Sequence, residues 1–240
     1  MNAIILAAGM GTRLKPLTDD RPKALVETAG ESFFSRQLRL LEAAGIREVT
    51  VVTGYRAEAF HPYRGRPGLR FVHNERFHDR NNLFSMLLVR DRFGADPEGT
   101  LVVEGDVWLG ERVLPTAPPA TSCWFVGHRD DMRNEWVVRC DETDRVRRID
   151  VASGEGWILS GISYWAPADA ELLSRLIAET AAKAGSEQLF WDDVPRANLD
   201  KLEVRARRIG GGDWAEIDTL EDRAALESAI AASMNGISRS

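Results

Sequence analysis

The sequence predicts an α/β fold: a Rossmann-like mixed, mainly parallel central sheet with flanking helices, followed by a β-rich second portion. Three observations carry this. Ala3 to Leu6 is a short, wholly apolar run closed by Gly9 and Gly11, the pattern of a central strand buried on both faces. From Ser32 to Ala44 the apolar positions Phe34, Leu38 and Leu41 recur at helical spacing, with Ser32 placed to cap the start and Gly45 to end the helix. Val49 to Thr53, closed by Gly54, reads as a second strand, so the opening third is strand, loop, helix, strand, a βαβ unit.

The remaining elements follow in order. Leu69 to His73 reads as a strand, and Asn81 or Asn82 can cap a helix running to about Arg92. Strand Leu101 to Val103 delivers Glu104, Gly105 and Asp106 at its C-terminal end, where open α/β sheets place ligands. Pro115, Pro118 and Pro119 mark a loop. Four β-like segments come next: Cys123 to Val126, Trp136 to Arg139, Val146 to Val151 and Trp157 to Tyr164. A helix from about Asp169 to Lys183 and a last one after Thr219 complete the outline, with a frayed tail expected from Asn235 to Ser240.

With 240 residues and 44% hydrophobic content the chain reads as one domain, residues 1–240, in which 1–110, 111–218 and a C-terminal helix and tail at 219–240 are successive portions. Its 31 basic and 37 acidic side chains leave a net charge of -6, which argues against a general nucleic-acid groove and for a small partner. Cys123 and Cys140 form neither a C-x-x-C pair nor a zinc spacing. No apolar run approaches the roughly 18 residues of a membrane span, and the start lacks the basic region of a signal peptide. The expectation is a soluble, cytoplasmic protein without membrane insertion. Its oligomeric state stays open, a homodimer included.

The strongest functional signal is Leu6-Ala7-Ala8-Gly9-Met10-Gly11-Thr12-Arg13-Leu14-Lys15-Pro16-Leu17-Thr18 with Pro22-Lys23 behind it. Two glycines after a buried strand let the backbone approach a ligand, and successive N–H groups there can cradle phosphate oxygens. Arg13 and Lys23 add positive charge. The segment lacks the G-x-x-x-x-G-K-[ST] of a P-loop and the third glycine of a dinucleotide fold. A tight turn alone also needs glycine; the residues around the pair lift the segment above that reading.

Read as a whole, Leu6 to Lys23 resembles the signature of the nucleotidyltransferases that join a nucleoside triphosphate to a sugar phosphate or small alcohol phosphate. The resemblance extends over nearly the whole chain to the bacterial CTP:phosphocholine cytidylyltransferases, through Asn81-Asn82-Leu83-Phe84-Ser85, Asn134-Glu135-Trp136, Ile158 to Trp165, Leu189-Phe190-Trp191-Asp192 and Glu216-Ile217-Asp218. It implies an enzyme that turns CTP and phosphocholine into CDP-choline and pyrophosphate, the acceptor phosphate attacking the α-phosphorus. Two anions must meet, so catalysis is mostly alignment and charge stabilisation. The same resemblance makes Lys23 and Arg13 the catalytic cations and residues 1–110 the nucleotide-binding portion. Leu6, Ala8, Gly9, Gly11, Thr12, Asn82 and Asp106 would bind nucleotide, with Thr53, Gly54 and Tyr55 lining the base pocket.

An enzyme of this type needs Mg²⁺, a hard cation that takes carboxylates, phosphate oxygens and water. Asp106 and Asp218 match the family's metal-binding aspartates. Glu104 is left out of the metal shell. In an extended segment Trp214, Glu216 and Asp218 share one face. Taken singly, each carboxylate reads equally as a surface charge or a cap, Asp218 for the last helix.

Residues 111–218 then hold the acceptor. A quaternary ammonium offers no N–H donor, so aromatic faces and negative charge recognise it. Trp136, Trp191, Asp192, Glu216 and Trp214 are the candidates. By residue type alone, Trp136 and Trp191 suit core packing as well as a ligand wall. Trp124, Trp157 and Trp165 read as core and Trp108 as a loop anchor. The four histidines need no catalytic role, because the acceptor phosphate is already ionised. Other acceptors left open are 2-aminoethylphosphonate, phosphoethanolamine, another phosphonate or a sugar 1-phosphate. A noncatalytic module of the same fold would be expected to have lost the loop cations or the acids, and all are present.

Overall fold

The computed structural model describes residues 1–237. Strand β1 (Asn2–Ala7) is buried along its whole length because parallel neighbours flank it on both sides and helices cover both faces. A small hairpin, β2 (Glu27–Thr28) and β3 (Glu31–Ser32), leads into α1 (Phe33–Ala43), whose Ser32 cap accepts the Ser35 N–H at 3.1 Å. Then come β4 (Val49–Thr53), β5 (Leu69–His73), α2 (Asn82–Leu88), β6 (Thr100–Glu104) and β7 (Val107–Leu109). The second half holds β8 (Ser122–Cys140), β9 (Val146–Trp165), α3 (Pro167–Ala181), the single turn α4 (Asp193–Arg196), β10 (Val204–Ile209), β11 (Trp214–Glu216) and α5 (Leu220–Ile237).

The main sheet has seven strands in the order β10-β8-β9-β6-β1-β4-β5. β1 pairs in parallel with β4 and with β6, β4 in parallel with β5 and β10 in parallel with β8, while β9 runs antiparallel to both β6 and β8. The chain leaves β1 toward β4 and β5 and then returns on its other side as β6. That reversal opens a crevice at the C-terminal end of β1, where the Gly-rich loop lies. Alternation along β1 sends Ala3, Ile5 and Ala7 into a core with Phe34 and Leu41 of α1, and Ile4 and Leu6 into one with Leu83 and Met86 of α2 and Leu173 of α3. A third cluster, Leu14, Val26, Phe33, Trp108 and Ile217, packs Leu226 and Ile230 of α5 beneath the loop.

The predicted elements are corrected at four places. The helix expected to reach Arg92 stops at Leu88 and continues as turns to Phe93. The four β-like segments are two long antiparallel strands, β8 and β9, with register shifts where the polar run Arg129 to Glu135 breaks the alternation. The hairpin β2–β3, strands β7 and β10 and the single turn α4 are additions to the expected outline. Helix α5 runs through Ile237, past the expected start of a frayed tail at Asn235; the rest of that tail, 238–240, lies outside the described residues. Trp124 and Trp165 are core residues as predicted, whereas Trp157 is half-buried against His128 and Arg208, and Trp108 is a buried residue of β7. No helix among the described residues is long and apolar enough to cross a membrane.

Candidate active site

A cleft of about 510 Å³ opens at the end of β1. Leu6, Ala8, Gly9, Gly11 and Thr12 form one wall of it. Gly11 has φ 59°, and a Cβ there would come within 2.8 Å of the Lys23 Cβ, so both the turn and the lysine's approach require glycine. The loop is pinned from behind. Thr18 Oγ1 donates to the Gly11 carbonyl at 2.9 Å, the Tyr55 hydroxyl donates to the Thr18 carbonyl at 2.9 Å, and the Tyr55 N–H donates to the Ala8 carbonyl at 3.1 Å. Thr53, Gly54 and Tyr55, expected at a base pocket, are not among the residues that line the cleft; Tyr55 braces the loop that does.

Lys23 is buried, and its ammonium bridges two carboxylates, Asp106 Oδ2 at 2.8 Å and Asp218 Oδ1 at 2.6 Å. Burial pulls its pKa down, and the two facing carboxylates outweigh that, so the group sits above its ordinary value and stays charged. Arg13, largely exposed, donates to Asp218 Oδ2 at 2.9 Å. The two aspartates are thus brought together from opposite ends of the chain. Asp106 follows β6, and Asp218 sits between β11 and α5. A reciprocal cap fixes its backbone: the Asp222 carboxylate accepts from the N–H groups of Asp218 at 3.0 Å and Thr219 at 2.8 Å, while Thr219 Oγ1 accepts the Asp222 N–H at 3.1 Å. Thr219 and Asp222, not Asp218, therefore cap the helix.

Glu216 lies with these aspartates. One oxygen from each of Asp106, Glu216 and Asp218 falls within 4.8 Å of the others. Burial, reinforced by the Asp106 and Asp218 charges, pushes the Glu216 carboxyl pKa up. Three hard oxygen donors around one point, with a lysine ammonium already drawn between two of them, suit a divalent cation such as Mg²⁺. No other group of this kind at the cleft occurs among the described residues.

The far end of the cleft is aromatic and acidic. Trp136 lines it, its ring 6.0 Å from that of Phe190 at an interplanar angle of 81°, and the Arg196 guanidinium backs the indole at 4.9 Å. Phe190, 47% exposed, is the aromatic residue that sequence reasoning missed. Its neighbour Trp191 is 2% exposed, in edge contact with Phe93 and Trp165, and does not line the cleft. Trp214 is likewise 4% exposed; a Cβ at Gly127 would fall 1.9 Å from its Nε1, so its indole fills the slot over that glycine. Both tryptophans are packing residues, correcting their assignment to the ligand wall.

Asp192 does line the cleft, accepting the Trp124 Nε1–H at 2.9 Å. Loss of hydration pushes its carboxyl up to about 7. Raised above its unfolded value near 3.8, this group keeps a proton in the folded state, so stability falls as pH rises from about 4 to about 7. Asp192→Asn is expected to melt like the wild type at pH 4 and to be more stable at pH 8 by on the order of 1–2 kcal/mol, after discounting for partial exposure. Equal melting temperatures at pH 8 would contradict the shifted carboxyl. Glu135 and Arg80 also line the cleft without having been predicted. Asn82 reaches it from the start of α2, where Asn81 caps the helix by accepting the Asn82 N–H at 2.9 Å.

Residues 3–150 match the family model of the MobA-like NTP transferase domain. Choline-phosphate cytidylyltransferase of Streptococcus pneumoniae is 33% identical over 230 residues, 96% of this chain and 98% of that one. A 2-aminoethylphosphonate cytidylyltransferase of Lancefieldella rimae is 30% identical over 94% of this chain and 92% of its own. The solved structure of CTP:phosphocholine cytidylyltransferase from Streptococcus pneumoniae superposes with a TM-score of 0.89 at 32% identity, covering 95% of this chain and 98% of that chain.

Proposed function

The chain belongs to the MobA-like NTP transferase family, and on that premise we propose that it is a cytidylyltransferase converting CTP and phosphocholine to CDP-choline and pyrophosphate. The observation that carries this reading is the composition of a single cleft. A glycine loop with Lys23 and Arg13 occupies one end, and the Trp136–Phe190 corner with Asp192 the other. Besides Glu104, five carboxylates line it, Asp106, Glu135, Asp192, Glu216 and Asp218, with the three cations Arg13, Lys23 and Arg80. Burial holds Asp192 and Glu216 toward their neutral forms, and a cation placed beside them favours the ionised ones, which suits them to an onium group or a metal ion.

A triphosphate brought beside Asp106 and Asp218 calls for a divalent ion between them. Asp106 and Asp218 would hold Mg²⁺, with Glu216 beside them. When bound, the ion neutralises phosphate charge. The protein's own residues supply the rest: loop N–H groups and Thr12 orient the triphosphate, Arg13 steadies the departing pyrophosphate, and Lys23 stabilises charge building at the α-phosphoryl group. The acceptor phosphate is the nucleophile and is ionised at neutral pH, so no general base is required. Trp136 and Phe190 meet the choline methyl groups, and Asp192 supplies the counter-charge; the cation in turn favours its ionised form.

The reading places the enzyme in the cytoplasm, a location that the two unpaired cysteines fit. Trp136→Ala is expected to raise the apparent KM for phosphocholine about 5- to 30-fold, the worth of one desolvated cation–π contact, while the KM for CTP changes less than about twofold. Steady-state kinetics with each substrate varied in turn make the comparison. An unchanged phosphocholine KM would remove the aromatic corner from acceptor recognition. The carboxylates around the same corner also suit a primary ammonium, as in 2-aminoethylphosphonate; that acceptor should depend less on Trp136.

A further inference from the structure

Glu104 has no part in the chemistry above, yet it is held with care. Its Oε1 accepts from Asn82 Nδ2 at 3.1 Å and from Trp191 Nε1 at 3.2 Å. The Asn82 amide is thereby oriented with Oδ1 toward the Trp191 backbone, whose N–H it accepts at 2.8 Å. Burial, with the Asp106 charge added, raises the Glu104 pKa well above the ordinary carboxylate range. Around this triangle, further bonds tie the start of α2 to the segment before Trp191. The Asn81 N–H donates to the Glu187 carbonyl at 2.8 Å, Asn81 Nδ2 to the Gln188 carbonyl at 3.2 Å, and the Leu83 N–H to the Leu189 carbonyl at 3.4 Å. Phe190 and Asp192, the residues on either side of Trp191, are the ones that enter the cleft.

Residues 189–192 lie outside any helix or strand; local bonds tie the Phe190 N–H and carbonyl to Asp193 at 2.9 and 3.1 Å and the Asp192 carboxylate to Trp124, and these turn as one piece with Trp191 between them. Trp191, seated in the core with its indole N–H on Glu104, anchors the middle of that piece. We propose that Glu104 is a positioning residue for the acceptor wall: by orienting the Asn82 amide and anchoring the Trp191 indole, it holds Phe190 and Asp192 in place at the cleft. The proposal rests on the cytidylyltransferase reading for the identity of the acceptor and on geometry alone for the anchoring.

The test combines steady-state kinetics with hydrogen exchange on the full-length protein. Trp191→Phe keeps an aromatic ring in the core but removes the N–H together with part of the indole; it is expected to raise the phosphocholine KM about three- to tenfold with less than a twofold change for CTP, and the double variant below separates the lost bond from the lost volume. Glu104→Leu should raise the phosphocholine KM at least tenfold and speed amide exchange across residues 187–193. Glu104→Gln, which retains an accepting oxygen, should restore both to near wild type. The double variant Trp191→Phe, Glu104→Leu should be no worse than Glu104→Leu alone. Should Glu104→Leu fail to fold, Glu104→Ala takes its place in the single and the double variant. An unchanged acceptor KM in Trp191→Phe, or additive effects in the double variant, would overturn the positioning role. A wild-type protein inactive on CTP and phosphocholine would instead overturn the functional reading, and exchange across 187–193 would still judge the anchoring, unaltered protection in Glu104→Leu refuting it.

Discussion

Lys23→Ala is expected to lower kcat by about two to three orders of magnitude, the cost of removing one preorganised charge from a phosphoryl-transfer site. The lysine reaches the cleft because Gly11 lets the loop close over its side chain, and its ammonium stays charged between Asp106 and Asp218. An alanine removes the cation and leaves the two carboxylates facing each other without it. Both are partly exposed, so water can hydrate them and the fold should survive with a modest loss of stability. A substitution to arginine is not a rescue, since a planar fork does not replace a compact ammonium in this space. Single-turnover measurement of product formation separates the chemical step from release; a kcat within a factor of a few of wild type would exclude Lys23 from charge stabilisation.

Asp218→Asn should cost at least two orders of magnitude in kcat and also raise the concentration of Mg²⁺ needed for half-maximal activity. Asp218 is the residue on which the two loop cations converge, with Lys23 on one oxygen and Arg13 on the other. An asparagine retains an oxygen for one of them and the backbone contact to Asp222, so the local structure is kept while one negative charge is lost. Titration of Mn²⁺ into the protein, followed by its own paramagnetic signal, reads the ion without turnover. Unaltered affinity there, with unaltered Mg²⁺ dependence, would assign Asp218 to holding Lys23 alone.

The glycine-loop end of this site was legible in the sequence because its parts are local. Gly9, Gly11, Arg13 and Lys23 lie within one motif, and Asp106 follows a buried apolar strand whose C-terminal end is where an open sheet binds ligands. Asp218 was picked out by the family resemblance, and the alternation of an extended segment sets it on one face with Glu216; Ala215 and Ile217 pack into the cluster beneath the loop, leaving Glu216 and Asp218 for the cleft. That both aspartates share one ammonium is a contact across more than a hundred residues, and composition carries no trace of it.

The end proposed for the acceptor was legible in composition but not in register. Phe190 and Trp191 are adjacent aromatics in an irregular segment, and no period decides which turns inward. The larger ring goes to the core, where it meets Phe93 and Trp165, and the smaller faces the cleft. Trp214 obeys the predicted alternation and is still buried, because Gly127 on a distant strand leaves room for its indole. Strand β10, with arginine at three of its six positions, lacks the apolar signal of a strand; its pairing with β8 supplies what local propensity does not.

The central claim is that one cleft joins a cytidine nucleotide to a phosphorylated onium alcohol. Its most direct test is pyrophosphate release by the purified protein, with CTP and UTP each combined with phosphocholine, 2-aminoethylphosphonate, phosphoethanolamine and several sugar 1-phosphates. The cleft described here should give the highest kcat/KM with CTP and phosphocholine and lose turnover when EDTA removes the divalent ion. A preference for UTP with a sugar 1-phosphate, or turnover indifferent to EDTA, would contradict it.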